Sequence, residues 1–188
     1  MPIQAFLFRQ SPAWLMSSLL ALMLLGAPPV HADEYTEVNR LIGARQFPQA
    51  LASADKYLAA KPRDPQMRFL KGVIQGETAQ TSDAIETFTK ITEDYPELPE
   101  PYNNLAVLYA SQSQFDKARS ALEMAIRLNP SYATAHENLG DIYARLASQS
   151  YSRALQLNAA NAGLPPKLAL IGQLLASTAK AATPAKAP

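Results

Sequence analysis

The stretch that decides the fold is PEPYNNLAVLYASQSQFDKARSALEMAIRLNPSY, residues 99–132. Its apolar side chains recur every three or four residues over 105–109 and again over 118–126, which places them on one face of an α-helix. The polar residues between these runs predict a turn, with Asp116 able to cap the following helix. Pro130 predicts the end of the second helix, because the residue before a proline avoids the α-conformation. The stretch therefore predicts a pair of helices.

The same pattern recurs along the chain at a fixed period, which is the spacing from Pro62 to Pro96 and from Pro96 to Pro130. A single helix pair cannot bury its apolar face alone, so neighbouring pairs must stack on one another. Small residues such as Ala84, Ala106, Ala118 and Gly140 are expected where two helices approach closely. Two further sets of residues mark the same period, namely Ala50, Ala84 and Ala118, and then Ala54, Phe88 and Leu122.

This arrangement resembles the tetratricopeptide repeat family in period and in pattern. The resemblance covers residues 33–162, with copies at about 33–64, 65–98, 99–132 and 133–162. It implies an all-α solenoid of antiparallel helix pairs whose first helices, here called the A helices, line a concave groove. The best copy carries the pattern as Tyr102-x2-Leu105-Ala106-x2-Tyr109, Phe115-x2-Ala118-x3-Leu122-x2-Ala125 and Pro130.

Ligands of this family usually lie against the A helices, and the resemblance carries that role to twelve positions. They make the expected groove apolar at its N-terminal end and polar to acidic at the other. Well-known members clamp a C-terminal carboxylate with Lys and Arg in such positions, whereas this chain has Tyr35, Phe69, Asn103 and Glu137, which argues against that mode. The twelve predicted groove residues are Tyr35, Asn39, Ile42, Phe69, Val73, Asn103, Asn104, Val107, Glu137, Asn138, Asp141 and Arg145.

The fourth copy is shorter than the others. The segment from Tyr143 to Ala147 lacks five residues relative to the segment from Tyr109 to Ala118, and they are the residues of the inter-helix turn. The apolar spacing continues through the gap without Gly or Pro, so we expect the two helices to fuse into one of about 24 residues, roughly 36 Å long. In the alternative alignment, Ser148 to Ser150 form a turn.

A further helix is predicted at 163–178, after the break at NAGLPP. Its apolar stripe of Leu164, Leu168, Ile171 and Leu175 is expected to cap the last repeat. Leu170 and Leu174 lie outside that stripe; they suggest either a contact with an unusual last repeat or a homodimer through this helix. The small, proline-containing residues 179–188 are expected to be disordered.

Residues 1–32 have the pattern of a secretory signal peptide. Arg9 is their only charged residue, the apolar run of residues 14–27 follows, and the segment ends in the small-x-small tripeptide before Asp33. We expect cleavage after Ala32; a retained membrane anchor is the alternative, but the apolar run is shorter than the roughly 20 residues that span a bilayer. The chain has no cysteine to carry a lipid. The expected product is soluble, exported to the periplasm and free of a lipid anchor.

The net charge and the composition limit the classes of molecule that the chain is expected to bind. The chain has 17 Lys plus Arg and 16 Asp plus Glu among 188 residues, so loss of Arg9 with the signal leaves a net charge near zero. Such a chain has no electrostatic reason to bind nucleic acid or an anionic membrane surface. We expect a protein or peptide partner instead, and no stable membrane insertion after cleavage.

The sequence shows no catalytic constellation, no phosphate-binding loop and no residue pattern that implies a cofactor or a metal. His136 would be the only histidine left after cleavage, and we expect it to pack as a partly buried ring. Glu137 and Asp141 share a helix face, with Arg145 one turn further and able to pair with Asp141. An enzyme that uses Glu137 and Asp141 is the weakest of the hypotheses, because nothing in the sequence shields these carboxylates.

The most consistent function is a non-enzymatic scaffold or adaptor of the cell envelope that binds partners through its concave surface. The alternative is an accessory subunit that docks or stimulates an envelope enzyme without activity of its own. Fold alone does not decide between them.

Overall fold

The computed structural model describes the backbone of residues 30–181 and the side chains of residues 34–176. The described backbone is helical and without strands, as predicted. Residues 1–29 of the expected signal peptide and residues 182–188 of the expected tail lie outside it. The helices are α1 (Val30–Gly43), α2 (Phe47–Ala60), α3 (Pro65–Glu77), α4 (Thr81–Asp94), α5 (Pro99–Ser111), α6 (Phe115–Leu128), α7 (Ala133–Leu157) and α8 (Leu164–Ala181).

The helices stack in chain order as a solenoid. Each helix packs against the next, and the A helices α1, α3, α5 and α7 also contact one another along one side. Three apolar clusters follow one another along the array, centred on the completely buried side chains of Met67, Phe88 and Leu122. The predicted α-solenoid is therefore confirmed, and its core is distributed over the repeats.

Each of the first three helix pairs is joined by the same tight turn. A residue in the left-handed conformation follows the A helix, and the next backbone N–H donates to a carbonyl five residues earlier, which closes the helix end. Asp116 does not cap α6, which begins at Phe115 after Gln114 without a side-chain cap; the predicted cap is wrong because the helix starts one residue before Asp116, which therefore lies inside its first turn. The left-handed residues are Arg45, Ala79 and Ser113, with closing bonds of 2.9 Å from Gln46 to Leu41, Gln80 to Gln75 and Gln114 to Tyr109.

Helices α3 and α4 approach each other closely at Gly72. A Cβ atom added there would lie 2.8 Å from the ring of Phe88, closer than van der Waals contact allows. Phe88 lies one helix further along, on α4, and is only 1% exposed. The absent side chain at position 72 therefore makes the space that the phenyl ring fills.

Helix α7 confirms the predicted fusion. It runs for 25 residues without a break, and residues 147–150 are helical rather than a turn.

The expectation that Gly140 lies at a close helix contact is wrong, because nothing lies within 4 Å of a Cβ added there. The reason is the fusion itself: no second helix folds back over this face.

Helix α8 packs against α7 and ends the array, as predicted for a capping helix. Leu164 is buried, and Leu168, Ile171 and Leu175 are partly buried, which matches the predicted stripe. Leu170 and Leu174 remain 65% and 51% exposed. Among the described residues, none of the helices is both long enough and apolar enough to span a bilayer.

Candidate functional site

An apolar pocket lies between the N-terminal ends of the neighbouring A helices α3 and α5. Its volume is about 280 Å³, slightly below the roughly 300 Å³ at which cavities begin to hold drug-sized ligands. Such a space suits one large apolar side chain. The lining residues are Pro65, Gln66 and Phe69 of α3, Ile91 of α4, and Leu98, Glu100 and Pro101 at the start of α5.

Phe69 forms the inner wall of this pocket. Its ring meets Phe88 edge-on, with 5.5 Å between the ring centroids, and Val73 packs one turn further along against the same cluster. Both side chains are only partly buried. These two predicted groove residues therefore support the core and also present apolar surface in the groove.

The middle of the expected groove contains hydrogen-bonded asparagines. Asn103 of α5 is buried, and its Oδ1 accepts a hydrogen bond of 2.9 Å from Nδ2 of Asn138 on α7. Asn104 donates to the carbonyl of Glu100 within its own helix. Val107 is 51% exposed. The structure thus brings together Asn103 and Asn138, and it leaves Val107 as an accessible apolar contact.

The C-terminal end of the groove carries the acidic residues. Glu137 is exposed and Asp141 is partly buried. The predicted ion pair between Asp141 and Arg145 is wrong, because the Arg145 guanidinium instead lies 5.7 Å from the ring centroid of Phe115 on α6. Neither carboxylate is paired with a cation among the described side chains.

His136 is exposed, and the expectation of a partly buried ring is wrong. Its Nε2 lies 3.0 Å from the carbonyl oxygen of Pro130. The equivalent ring of the third repeat, Tyr102, is partly buried in the core cluster that α6 helps to form. His136 has no equivalent of α6 to pack against, because α7 continues straight.

At the N-terminal end of the groove, Tyr35 faces the interior. Its hydroxyl donates to Oδ2 of Asp64 at 2.6 Å and lies 2.9 Å from the hydroxyl of Tyr57. Burial raises the pKa of Tyr35, and the bonds to Asp64 and Tyr57 raise it further. Asn39 is exposed and donates to the Tyr35 carbonyl, while Ile42 packs against the first core cluster. The Tyr35 hydroxyl is therefore committed to internal bonds.

Asp64 links the hydroxyl groups of Tyr35 and Tyr57 to helix α3 of the next repeat. It is the N-cap of α3, and its Oδ1 accepts from the backbone N–H of Met67 at 2.8 Å. Burial alone would raise the pKa of Asp64, but the bonds from Tyr35, Met67 and Tyr57 together lower it below its usual value. The ionised carboxylate is thus the form that the folded state favours.

The stability that Asp64 contributes is expected to depend on pH. Because the folded-state pKa is depressed, the contribution is complete above the unfolded-state pKa of about 3.9 and is lost as pH falls through the lower folded-state value. Asp64→Asn keeps a capping oxygen but has no charge, so we expect it to be less stable than the native protein at pH 7. Urea unfolding from pH 7 to pH 2.5 measures the difference, which should shrink below pH 4. A difference that stays constant over this range contradicts the assignment.

The described side chains offer no group of three or more His, Asp or Glu residues that could hold a metal ion. Glu137 and Asp141 lie on an open helix face. The absence of catalysis stays a prediction from the sequence.

Two family models match the chain. One, described as a TPR repeat, matches residues 108–146, and another, described as a tetratricopeptide repeat, matches residues 35–99. The chain carries tetratricopeptide repeats. Proteins with such repeats act as protein-interaction scaffolds, which fits the grooved solenoid described above.

Curated relatives and solved structures share these repeats. The chain is 44% identical over 50 residues to the chloroplastic tetratricopeptide repeat domain-containing protein PYG7 of Arabidopsis thaliana, covering 27% of this chain and 17% of that protein. It is 28% identical over 104 residues to the photosystem I assembly protein Ycf3 of Prochlorococcus marinus, covering 54% and 57%. The chain thus spans less than two thirds of the length of these two relatives.

A solved structure shows the same fold. The first TPR of Spaghetti (RPAP3), bound to the HSP90 peptide SRMEEVD, aligns with a TM-score of 0.58 and 15% identity. The alignment covers 62% of this chain and 92% of that one. At this identity the likeness concerns the fold of the tetratricopeptide repeats alone.

Sequence reasoning found Phe69 but missed the other residues that line the pocket. Pro65, Leu98 and Pro101 surround the starts of α3 and α5, and Gln66 and Glu100 are exposed within the first turn of these helices. The sequence did contain a feature that points to this place, because Pro65 and Pro99 begin successive A helices one repeat apart. Only the side-by-side packing of the tetratricopeptide repeats shows that these helix starts enclose a pocket.

Proposed function

We propose that this protein is a non-enzymatic scaffold or adaptor that binds a segment of a protein partner along the groove formed by α3, α5 and α7. The observation that carries the proposal is the apolar pocket beside Phe69. It lies between the starts of the neighbouring A helices α3 and α5, and polar groups follow on α5 and α7. An apolar side chain in the pocket would give affinity, and the groups beyond it would orient the segment.

The groove favours a particular kind of segment. The pocket accepts one large apolar side chain, and the partly buried Asn138, held by its bond to Asn103, can offer its amide oxygen to a peptide backbone. Glu137 and Asp141 lie further along without cationic partners, so a basic residue in the bound segment would complement them. The likeness to a photosystem I assembly protein supports a scaffold, because assembly of a complex requires binding.

We further propose that the protein works in the cell envelope after export and cleavage behind Ala32. The support is the pattern of residues 1–32, whose net positive n-region, apolar run and small-x-small end suit a signal peptide. An intact-mass measurement of the exported chain tests this proposal. A mature chain that does not begin at Asp33 would revise the boundary, and retention of the whole segment would contradict it.

The groove can be tested by filling its pocket from the rim. Gln66 is exposed and lines the pocket, so Gln66→Phe places a ring over the opening without disturbing the core. We expect at least a tenfold loss of affinity for a segment recovered from an envelope-extract pull-down, about 1.4 kcal/mol. Fluorescence anisotropy of the labelled segment measures the affinity.

A matched control is available on the outer helix α2. Gln49 is exposed in the first turn of that helix, and Gln49→Phe adds the same ring away from the groove. We expect its affinity to equal that of the native protein. This pair is preferable to Phe69→Glu, which would place a carboxylate against Phe88. Native affinity in the Gln66→Phe protein would show that the pocket is not the binding site.

An accessory subunit of an envelope enzyme is the second candidate. It uses the same groove, so the observation in its favour is again the open pocket. It requires that a recovered partner be an enzyme and that its turnover rise when this protein is added. A homodimer through α8 also stays a proposal, supported by the exposed Leu170 and Leu174.

A further inference from the structure

The fused helix α7 has one face on which no other helix of the described part of the chain packs. This face, here called the seam, runs the whole length of α7 between the sides that pack on α6 and on α8. Its residues are spaced three, four or seven apart, so they form one stripe. The stripe consists of His136, Gly140, Tyr143, Ala147, Ser150, Ala154 and Leu157, of which only Ala147 is partly buried and the others are exposed. The Tyr143 hydroxyl lies 3.5 Å from Oε1 of Glu123 on α6.

The corresponding positions are buried in the regular repeats. Gly140 corresponds to Ala106, which is 1% exposed, and to Gly72, whose missing side chain is replaced by Phe88. Ala154 corresponds to Ala125 and Ile91, both completely buried. In those repeats, the second helix of the pair folds back and covers the first. In the fourth repeat, the same kinds of residue stay uncovered.

The two halves of α7 are the two halves of one helix pair. Residues 133–146 carry the A-helix pattern, and residues 147–157 carry the pattern of the second helix, with Ala147, Tyr151 and Ala154 in place of Ala118, Leu122 and Ala125. The fusion holds them end to end, so neither half can pack on the other. When the connection between two helices is too short for them to fold back on each other, two copies of a chain can exchange these helices. This is a known cause of domain swapping.

We propose that two copies of this chain pair through the seam in an antiparallel dimer, in which the second half of each α7 packs on the first half of the other. The regular pairing of Gly72 with Phe88 places Gly140 opposite Tyr151 of the other copy. Tyr151 lies at the edge of the seam, where it is partly buried and its ring centroid is 5.3 Å from Nζ of Lys167 on α8. That register places the twofold axis near Leu146. Each copy supplies the half that the other lacks, and the interface continues the packing already present in α3–α4 and α5–α6.

The area and the charge of the seam suit such a dimer. Each half of α7 is about 18 Å long and 10–12 Å wide, so the four halves cover roughly 800 Å² in projection. This area lies below the range of about 1,200–2,000 Å² for stable interfaces and is that of a weak, concentration-dependent dimer. The seam contains no Asp, Glu, Lys or Arg, so a self-complementary contact brings no like charges together. Tyr143 and Leu157, 50% and 73% exposed, would be covered.

Light scattering coupled to size-exclusion chromatography tests the proposal on the full chain. We expect the native protein at 100 μM to have twice the mass of one chain. Ala154→Glu places a carboxylate in the seam at an exposed position, and we expect at least a hundredfold weaker dimer and the mass of one chain. Leu170→Glu is the matched control on α8 and should stay dimeric. Circular dichroism verifies that both variants keep their helices.

A second variant restores the missing turn. Inserting Gln-Ser-Gln-Phe-Asp, copied from residues 112–116, between Arg145 and Leu146 should let the second half fold back within one chain and give a monomer. A dimer through α8 would survive this insertion. The proposal is overturned by a native protein that is monomeric at 100 μM, by an Ala154→Glu dimer, by an insertion variant that stays dimeric, or by dissociation of Leu170→Glu. These outcomes are independent of the pocket beside Phe69, which none of the variants alters.

Discussion

Gly72→Leu is expected to destabilise the protein by about 3 kcal/mol, at the upper end for an overpacked core. Even a Cβ atom at this position would lie 2.8 Å from the Phe88 ring, and leucine adds three further carbon atoms in the same direction. The ring cannot move away freely, because Phe88 is buried against Phe69. The gain in helix propensity from replacing glycine, roughly 1 kcal/mol, offsets only part of this cost. Urea unfolding followed by circular dichroism measures the change.

Gly140→Leu is the matched control for this substitution. Gly140 has the same repeat position in α7, but nothing lies within 4 Å of an added Cβ. We expect the free energy of unfolding to be unchanged or to rise by up to about 1 kcal/mol, because the helix gains a better helix former. Equal destabilisation by both substitutions would show that helix fusion does not distinguish the two positions.

Phe88→Ala is expected to cost about 3–5 kcal/mol, the usual range for a buried phenylalanine. Phe88 fills the space left by Gly72 and carries the edge-on contact with Phe69, so its loss opens a cavity between α3, α4 and α5. Because the groove pocket shares Phe69, we also expect binding at the groove to weaken. The same urea experiment measures the stability.

Phe115→Ala provides the comparison. Phe115 begins α6 and is only partly buried, so its loss should cost about 1–2 kcal/mol.

Combining Gly72→Leu with Phe88→Ala should cost less than the two single substitutions together, since the leucine then occupies the space of the missing ring. Additive costs would contradict a direct contact between positions 72 and 88.

The fusion of α7 was predictable because its evidence is local. Apolar spacing that continues past Tyr143, together with the absence of Gly and Pro, favours one helix whatever the neighbours are. The register of the repeats was predictable for the same reason, because Ala84, Ala106 and Ala118 fall at the crossings that the period predicts, and all three are buried.

The partners of Arg145 and Tyr35 were not predictable, because each side chain contacts a residue outside its own helix. Arg145 lies over the Phe115 ring of α6 rather than pairing with Asp141 on its own helix. Tyr35 faces inward because Asp64, 29 residues away, accepts a hydrogen bond from its hydroxyl. Neither partner can be found from spacing along one helix.

The sequence by itself determined the helices, their regular period, the turn lost in the fourth copy and the cap at α8, because each depends on residues close together in the chain. The tertiary structure alone decided which side chains enclose the pocket at Phe69, which carboxylates stay unpaired, and which face of α7 stays uncovered. These depend on atoms from helices far apart in sequence, whose distances are set only when the repeats stack.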